Sequence, residues 1–137
     1  MDRIDYWKFQ GFENLYLEDS HLLDLHTDSQ VEARVEAVLR ESHPDYHGPK
    51  PGEQYAYKNI VIAFPNLRNY RWLEKKMVPT RDPDGGIDYG NIDEFYRSNE
   101  RYFMSGDWGT IEIDSDPPIV RYLEAAGDNQ PASIKKA

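Results

Sequence analysis

The sequence predicts a mainly β protein, an antiparallel sheet or sandwich with at most a short helix, with an α+β fold as the alternative. The most apolar run is residues 54–66, QYAYKNIVIAFPN. Its large residues Ile60, Ile62 and Phe64 alternate with smaller apolar ones, as in a central strand buried on both faces. After residue 92, turn signals recur about every eight to twelve residues, which is typical of an antiparallel meander.

The N-terminal part is predicted to supply an arm and a first strand. Residues 1–12 are rich in aromatic side chains but are interrupted by Gly11, which indicates an anchored coil or short turn. Residues 20–27, SHLLDLHT, are predicted to be a strand with Leu23 and Leu25 on its buried side.

Residues 31–41, VEARVEAVLRE, fit either a strand or a helix. As a strand, the five apolar positions at every second residue from Val31 to Leu39 face one way, and only Val38 is left over. As a helix, the segment has a capping box, good helix-forming residues and a terminating Pro44. The alternation favours the strand, and the helix stays open.

The C-terminal half is predicted to be a series of short strands. Residues 69–75 are a strand or one turn of helix, and an Asp/Gly-rich turn follows over residues 82–91. Further strands are expected at residues 91–97, 101–105, 108–114 and 119–123, separated by turns at Ser98–Asn99, Gly106–Asp107 and Asp116–Pro118. Residues 1–123 are therefore expected to form a single globular domain, and residues 124–137 a flexible C-terminal tail.

Composition excludes several classes of function. The 137 residues contain no cysteine, which excludes disulfides, thiolate zinc sites and cysteine nucleophiles. The net charge of −9 disfavours nucleic acid and anionic membranes as partners. The first residues do not resemble a signal peptide and no run reaches membrane-spanning length, so we expect a cytoplasmic protein.

Charge is unevenly distributed along the chain. Residues 82–116 contain ten Asp and Glu against two Arg, whereas residues 68–81 contain five Lys and Arg against one Glu. These two segments either pair with each other in the fold or leave an acidic face for a basic partner.

Four stretches resemble a set of small uncharacterised bacterial proteins: FENLYLEDSHLLDLH, SHPDYHGPKPGEQYAY, GGIDYGNIDEF and SGDWGTIEIDSDPP. The strand–turn–strand opening is more distantly similar to β-rich immunity proteins of bacterial toxin systems. The likeness covers most of residues 12–118, and its motifs are loop and turn signatures, so no functional residue is carried over. It implies a mostly β fold, a bacterial source and a role in protein binding.

Two clusters are candidates for metal binding. His43, Asp45 and His47 form the motif H-P-D-Y-H, but Pro44 disfavours the helical turn that would bring the histidines together. The second cluster, in the turn over residues 82–93, consists of Asp82, Asp84, Asp88 and Asp93. Its spacing does not match an EF-hand, and Asp side chains in such turns more often bond their own backbone. We predict no cofactor.

Two alternatives to protein binding remain open, a small-molecule or carbohydrate-binding module and a metal- or carboxylate-dependent hydrolase. The sequence contains no nucleophile elbow, zincin motif, phosphate loop or dinucleotide fingerprint. Carboxylates and aromatic residues that could line a sugar site are Glu53, Asp88, Asp93 and Glu94 with Tyr55, Tyr57, Tyr89 and Trp108. Acidic residues on outward strand faces beside aromatic pairs explain the same pattern more simply.

We therefore expect a non-enzymatic, protein-binding domain with an acidic, tyrosine-rich face, of immunity or regulatory type. The expected binding residues are Asp88, Tyr89, Asp93, Glu94, Tyr102 and Trp108. Trp108 has two interpretations, a packed corner residue or an exposed interface anchor. The expected partner is a basic protein, and a homodimer through an exposed sheet edge is a further possibility.

Overall fold

The computed structural model describes residues 2–81, 83 and 85–123, and its regular structure is almost entirely β. In this part of the chain the helical structure is one 3-10 turn, Tyr6–Lys8. The strands are β1 (Ile4–Asp5), β2 (Leu15–His26), β3 (Val31–Leu39), β4 (Tyr57–Phe64), β5 (Asn69–Lys75), β6 (Thr80–Arg81), β7 (Ile87–Asp88), β8 (Ile92–Ser98), β9 (Arg101–Gly106), β10 (Gly109–Asp114) and β11 (Ile119–Tyr122).

The strands form two main antiparallel sheets. Sheet A has the order β1-β8-β9-β10-β5, sheet B has the order β11-β4-β3-β2, and β6 with β7 makes a small separate ribbon. Inner-face residues of both sheets join one hydrophobic core, so the architecture is the antiparallel sandwich that the alternation predicts. Among the described residues no helix is long and apolar enough to cross a membrane.

Phe95 of β8 lies at the centre of the aromatic part of the core. Its ring centroid is 5.3 Å from that of Phe9, 5.7 Å from that of Phe12 and 5.9 Å from that of Phe64. Phe9 and Phe12 belong to the N-terminal arm, and Phe64 belongs to sheet B. The arm is therefore anchored between the two sheets, as the aromatic residues of 1–12 predict.

The run at residues 54–66 is the internal strand β4, and every residue from Ile60 to Phe64 is buried. Burial on the outer face has an identifiable cause. Val61 and Ala63 lie beside Arg121 and Glu32 in the register, and these two charged side chains form an ion pair of 3.2 Å. Their aliphatic stems cover the strand while their charges reach solvent.

Residues 31–41 contain strand β3, and the helical interpretation is wrong. Val38, the one residue that did not fit the alternation, points to the outer face and is still only 2% exposed. Its register partners are Tyr16 on β2 and Tyr57 on β4. These two rings flank Val38 and remove it from water.

The prediction for residues 20–27 needs correction. The strand begins at Leu15 rather than residue 20, and Leu22 rather than Leu23 is fully buried, with Leu25 packed against the core. The cause is two shifts in register between β2 and β3, which change the face on which each side chain lies.

Ser20 supplies a hydrogen-bond partner at the larger of the two register shifts between β2 and β3. Its hydroxyl accepts a hydrogen bond of 2.9 Å from the Val38 backbone N–H and donates one of 2.8 Å to the Tyr16 carbonyl. The side chain thus replaces a backbone partner that the bulge has moved away, and the buried Val38 N–H stays satisfied.

Tyr6 fastens the N-terminal arm to the same bulge. Its buried hydroxyl accepts a hydrogen bond of 2.9 Å from the Leu17 backbone N–H and donates to the Glu18 carboxylate. Burial, followed by the hydrogen bond to Glu18, raises the pKa of Tyr6 well above its ordinary value. Tyr6 therefore remains a protonated donor under ordinary conditions.

The later predictions are largely confirmed. Residues 69–75 form strand β5, and the turn over 82–91 includes one strand of the small ribbon. The hairpin between β8 and β9 turns at Asn99–Glu100, one residue later than expected, with both residues at positive φ. The segment after β7 bonds to β2 through Leu22, whose backbone N–H donates to the Gly90 carbonyl at 2.9 Å and whose carbonyl accepts from the Tyr89 N–H at 2.8 Å, and so joins the two sheets on one side. The predicted tail over residues 124–137 lies outside the described residues.

Candidate functional site

Two of the expected binding residues are in the core. Trp108 is fully buried and packs edge-on against Trp72, with ring centroids 6.2 Å apart. Tyr102 is also buried and belongs to the same core cluster. The corner interpretation of Trp108 is confirmed, and neither ring is exposed as an interface anchor would be, although Tyr102 borders two surface pockets.

Asp88 and Tyr89 lie in the turn that follows β7. The largely buried Asp88 carboxylate accepts hydrogen bonds from the Thr80 hydroxyl (3.2 Å) and the Gly90 backbone N–H (2.8 Å). The Tyr89 backbone N–H donates to the Leu22 carbonyl at 2.8 Å, and its side chain packs partly against the core. Asp88 therefore serves the turn, which is the simpler of its two predicted roles.

Asp93 and Glu94 are exposed at the start of β8. Glu94 is paired with Arg3 at 3.0 Å, and the Arg3 guanidinium also stacks 4.0 Å above the Tyr96 ring. Partial burial raises the pKa of Asp93, and the neighbouring Asp107 and Glu94 carboxylates raise it further. Among the described residues Glu94 has a cationic partner and Asp93 has none.

The basic and acidic stretches pair with each other at one end of sheet A. Arg68 contacts both Asp114 and Asp116 at 3.0 Å, and Arg71 contacts Glu112 at 2.8 Å. These contacts follow directly from the pairing of β5 with β10. Residues 82–116 therefore do not present a continuous acidic face, because at this end of the segment the two stretches pair, which is one of the two arrangements that the sequence leaves open.

Tyrosines gather instead on the outer face of sheet B. Tyr16 and Tyr57 flank Val38, Tyr55 packs edge-on against Tyr57 with centroids 6.2 Å apart, and the His21 ring stacks on Tyr57 at 6.2 Å. We call Tyr16, Tyr55, Tyr57 and His21 the tyrosine face. The close spacing of opposed residues across strands holds these rings together.

Carboxylates surround the tyrosine face. The Tyr55 hydroxyl donates to Asp19 at 2.8 Å, and a Glu36 oxygen lies 3.3 Å from His21 Nδ1. Burial raises the pKa of Tyr57, and the charges of Glu36, Glu53 and Asp19 raise it further. Within the described ranges none of these three carboxylates is paired with a lysine or arginine, so at this face negative charge lies beside partly exposed aromatic rings.

A cleft of about 550 Å³ adjoins the tyrosine face. Tyr16 and Tyr55 form part of its wall, together with Tyr46, Gln54 and Arg40, whose guanidinium lies 5.1 Å from the Tyr16 ring centroid. The cleft thus combines aromatic surfaces with a few polar groups. That composition suits a peptide side chain or a sugar ring.

The side chains of His43 and Asp45, in the motif at residues 43–47, make hydrogen bonds and an ion pair within the protein. The buried His43 accepts the Asp45 backbone N–H at Nδ1 (2.9 Å), so its Nε2 carries the proton and donates to the Tyr122 hydroxyl (2.9 Å). Asp45 is paired with Lys58 at 3.0 Å, and His47 is exposed. Across the described residues no three or more His, Asp or Glu side chains converge as metal ligands, and Asp82 and Asp84 lie outside them.

Burial has the largest effect on the pKa of His43. It lowers the pKa of the imidazole, the nearby Lys58 lowers it further, and the Asp45 carboxylate opposes both. The ring is therefore held neutral in the fold, which keeps both of its hydrogen bonds. Through its hydrogen bond to Tyr122, His43 holds the loop over residues 40–56 against β11.

No protein family, curated protein or solved structure matches this chain. Its function is therefore inferred from the tyrosine face and the charges around it.

Proposed function

We propose that this chain is a non-enzymatic binding protein whose tyrosine face docks a basic segment of a partner protein. The observation that carries the proposal is the coincidence of partly exposed tyrosines with three carboxylates around one sheet face, Asp19, Glu36 and Glu53, none of which has a Lys or Arg partner among the described residues. This keeps the predicted kind of surface but moves it from residues 82–116 to sheet B.

Tyrosine rings are effective anchors because they offer a large amphipathic surface at a low cost in side-chain entropy. Here Tyr16 and Tyr57 are already held in place by the buried Val38 between them. Because the rings are ordered before binding, association loses less conformational freedom than it would on a mobile surface.

Both the aliphatic stem and the charged head of a Lys or Arg side chain fit this surface. Its aliphatic stem packs on the Tyr55 and Tyr57 rings, and its charged head reaches Asp19 or Glu36. The carboxylates also accelerate encounter with a positively charged partner, an effect that salt screens. An immunity or regulatory protein of the cytoplasm is the corresponding biological role.

The test is capture of partners by photo-crosslinking in the source cells, followed by titration with each purified partner. Tyr55→Ala removes a ring that is not a register partner of Val38, and Asp19→Lys reverses the charge beside it. The matched control is Tyr96→Ala on the outer face of sheet A, where Tyr96 stacks on Phe103 at 5.2 Å.

We expect affinity to fall roughly tenfold or more for Tyr55→Ala and Asp19→Lys, with little change for the control. Affinity for the partner should also weaken steadily with ionic strength. A partner that binds wild type and both sheet B variants equally, or binding that does not respond to salt, would refute the proposal.

The adjoining cleft favours one second candidate, the binding of a carbohydrate. Tyr16, Tyr46 and Tyr55 offer stacking surfaces for sugar rings, and Gln54 offers amide hydrogen bonds. A titration of labelled protein with a panel of oligosaccharides, followed by amide NMR, separates the two. Shifts confined to the cleft would support the sugar, and an unchanged spectrum would remove it.

A further inference from the structure

A second, unrelated concave region lies between the N-terminal arm and β11. It is an apolar groove of about 470 Å³ with Phe9, Pro118, Ile119 and Tyr122 in its wall. Ile119 is 47% exposed and Tyr122 is 41% exposed. An accessible apolar strip of this kind, continuous with Phe9, which packs against the core, is the type of surface on which the hydrophobic part of a ligand packs.

The groove adjoins a polar pocket of about 530 Å³. Tyr102 and Pro117 belong to the walls of both, so a single ligand can extend from one into the other. Three arginines, Arg68, Arg97 and Arg101, line the polar pocket. The two regions together offer an apolar channel with a cationic end.

Arg97 is the unusual member of this group. It pairs with Tyr102 in the register, two residues after the core residue Phe95, so the alternation of β8 places a cation on the side of the sheet that faces the core. Burial raises the pKa of the Tyr102 hydroxyl, and the nearby charge of Arg97 opposes that rise. In the described part of the chain no carboxylate lies within ion-pair distance of Arg97, whereas most arginines of sheet A have one.

The other two arginines are already engaged. Arg68 holds both Asp114 and Asp116 at 3.0 Å, and Arg101 lies 3.8 Å from Glu112. Two carboxylates sharing one arginine leave a residual negative charge at that side of the pocket. Glu100 adds a third carboxylate to the wall, so the pocket would repel a dianion such as a phosphate monoester. Arg97 is the arginine left to receive a single negative charge.

We infer that this composite site binds a small monocarboxylate with an apolar body. The carboxylate accepts hydrogen bonds from the Arg97 guanidinium and the Tyr102 hydroxyl, while the apolar body lies along Ile119 and Tyr122. Guanidinium suits this head group because it donates in a planar fork that matches a carboxylate. The inference is independent of the tyrosine face.

The experiment compares octanoate with its neutral isostere octanamide by amide and arginine side-chain NMR on the full chain. We expect octanoate to shift the Arg97 side-chain resonance and the backbone amides of Tyr102 and Ile119, and to bind roughly tenfold or more tightly than octanamide. Arg97→Gln should remove that preference. The matched control Arg81→Gln, at an exposed position in β6, should retain it.

Two further results bear on the inference. Ile119→Ser should weaken octanoate and octanamide alike, because it removes apolar contact that both ligands share. Equal binding of the two ligands by wild type overturns the head-group assignment, and it does so even if Arg97→Gln fails to fold. Shifts located outside the composite site, or none at millimolar octanoate, overturn the site itself.

Discussion

Truncation of Trp108 gives the sharpest test of the structure. Trp108 begins the corner between β9 and β10, is fully buried and packs against Trp72. Removing a buried Trp side chain to Ala costs about 3–5 kcal/mol through lost burial and the cavity left behind. For a chain of this size about 1 kcal/mol corresponds to roughly 3–6 °C in Tm, so Trp108→Ala should lower Tm by roughly 10–30 °C.

Trp108→Phe separates packing from polarity at the same position. The Trp108 Nε1 atom is buried and has no hydrogen-bond partner in the structure. Phe keeps much of the aromatic volume and removes that unsatisfied donor, whose desolvation costs about 1–3 kcal/mol. We therefore expect Trp108→Phe to retain most of the stability that Trp108→Ala loses.

The matched control is Trp7, which is 40% exposed and contacts Tyr6 edge-on at 5.2 Å. Trp7→Ala should cost no more than about 1–1.5 kcal/mol, the value of an aromatic pair at the surface. Unfolding is followed by calorimetry and by urea titration with circular dichroism. A Trp108→Ala protein that melts within a few degrees of wild type would refute the burial of this side chain and support an exposed role.

Three further predictions concern stability. Tyr6→Phe leaves a buried backbone N–H and the Glu18 carboxylate without their hydroxyl partner, so urea titration should show a loss of about 1–3 kcal/mol, and an unchanged midpoint would contradict the anchoring of the arm. The folded-state pKa of His43 is lowered below about 6.5, so the unfolded chain binds the proton first and stability should fall as pH decreases from about 7 to 5. His43→Gln should flatten this slope, whereas the exposed His47→Gln should not, and equal slopes in all three proteins would refute the assignment. Gly109→Ala forces a Cβ into a backbone carbonyl of β5 at positive φ and should cost at least about 2 kcal/mol, clearly more than Gly11→Ala, where φ is also positive but the space is open.

Local alternation of side chains was sufficient to predict much of the fold. The five alternating positions of residues 31–41 predict a strand, and the structure agrees because these positions all lie on the inner face of sheet B. The same method failed for residues 20–27, since the bulge in β2 is set by Tyr6 and Ser20 and leaves no local signature. A two-residue period cannot reveal a register shift that distant side chains stabilise.

The position of the binding face depended on pairings between distant segments. The acidic stretch looked like a surface because the sequence does not show that β5 brings Arg68 and Arg71 beside Asp114 and Glu112. Conversely, Tyr16 and Tyr57 of the tyrosine face meet only because β2, β3 and β4 pair side by side. Composition predicted an acidic, tyrosine-rich surface, and only the strand register determines where its parts meet.

Val38 connects the fold to the proposed function. Because it faces outward and is still buried, Tyr16 and Tyr57 stabilise the sheet as well as forming the binding surface. Removing either ring exposes Val38, at a cost of about 1–2 kcal/mol by apolar area alone. A loss of binding in Tyr57→Ala would therefore combine two effects, whereas Tyr55 lies outside this register row and its loss reports on recognition. The same coupling explains why a surface so rich in aromatic rings can remain ordered without a ligand, since the rings are held by the strand beneath them.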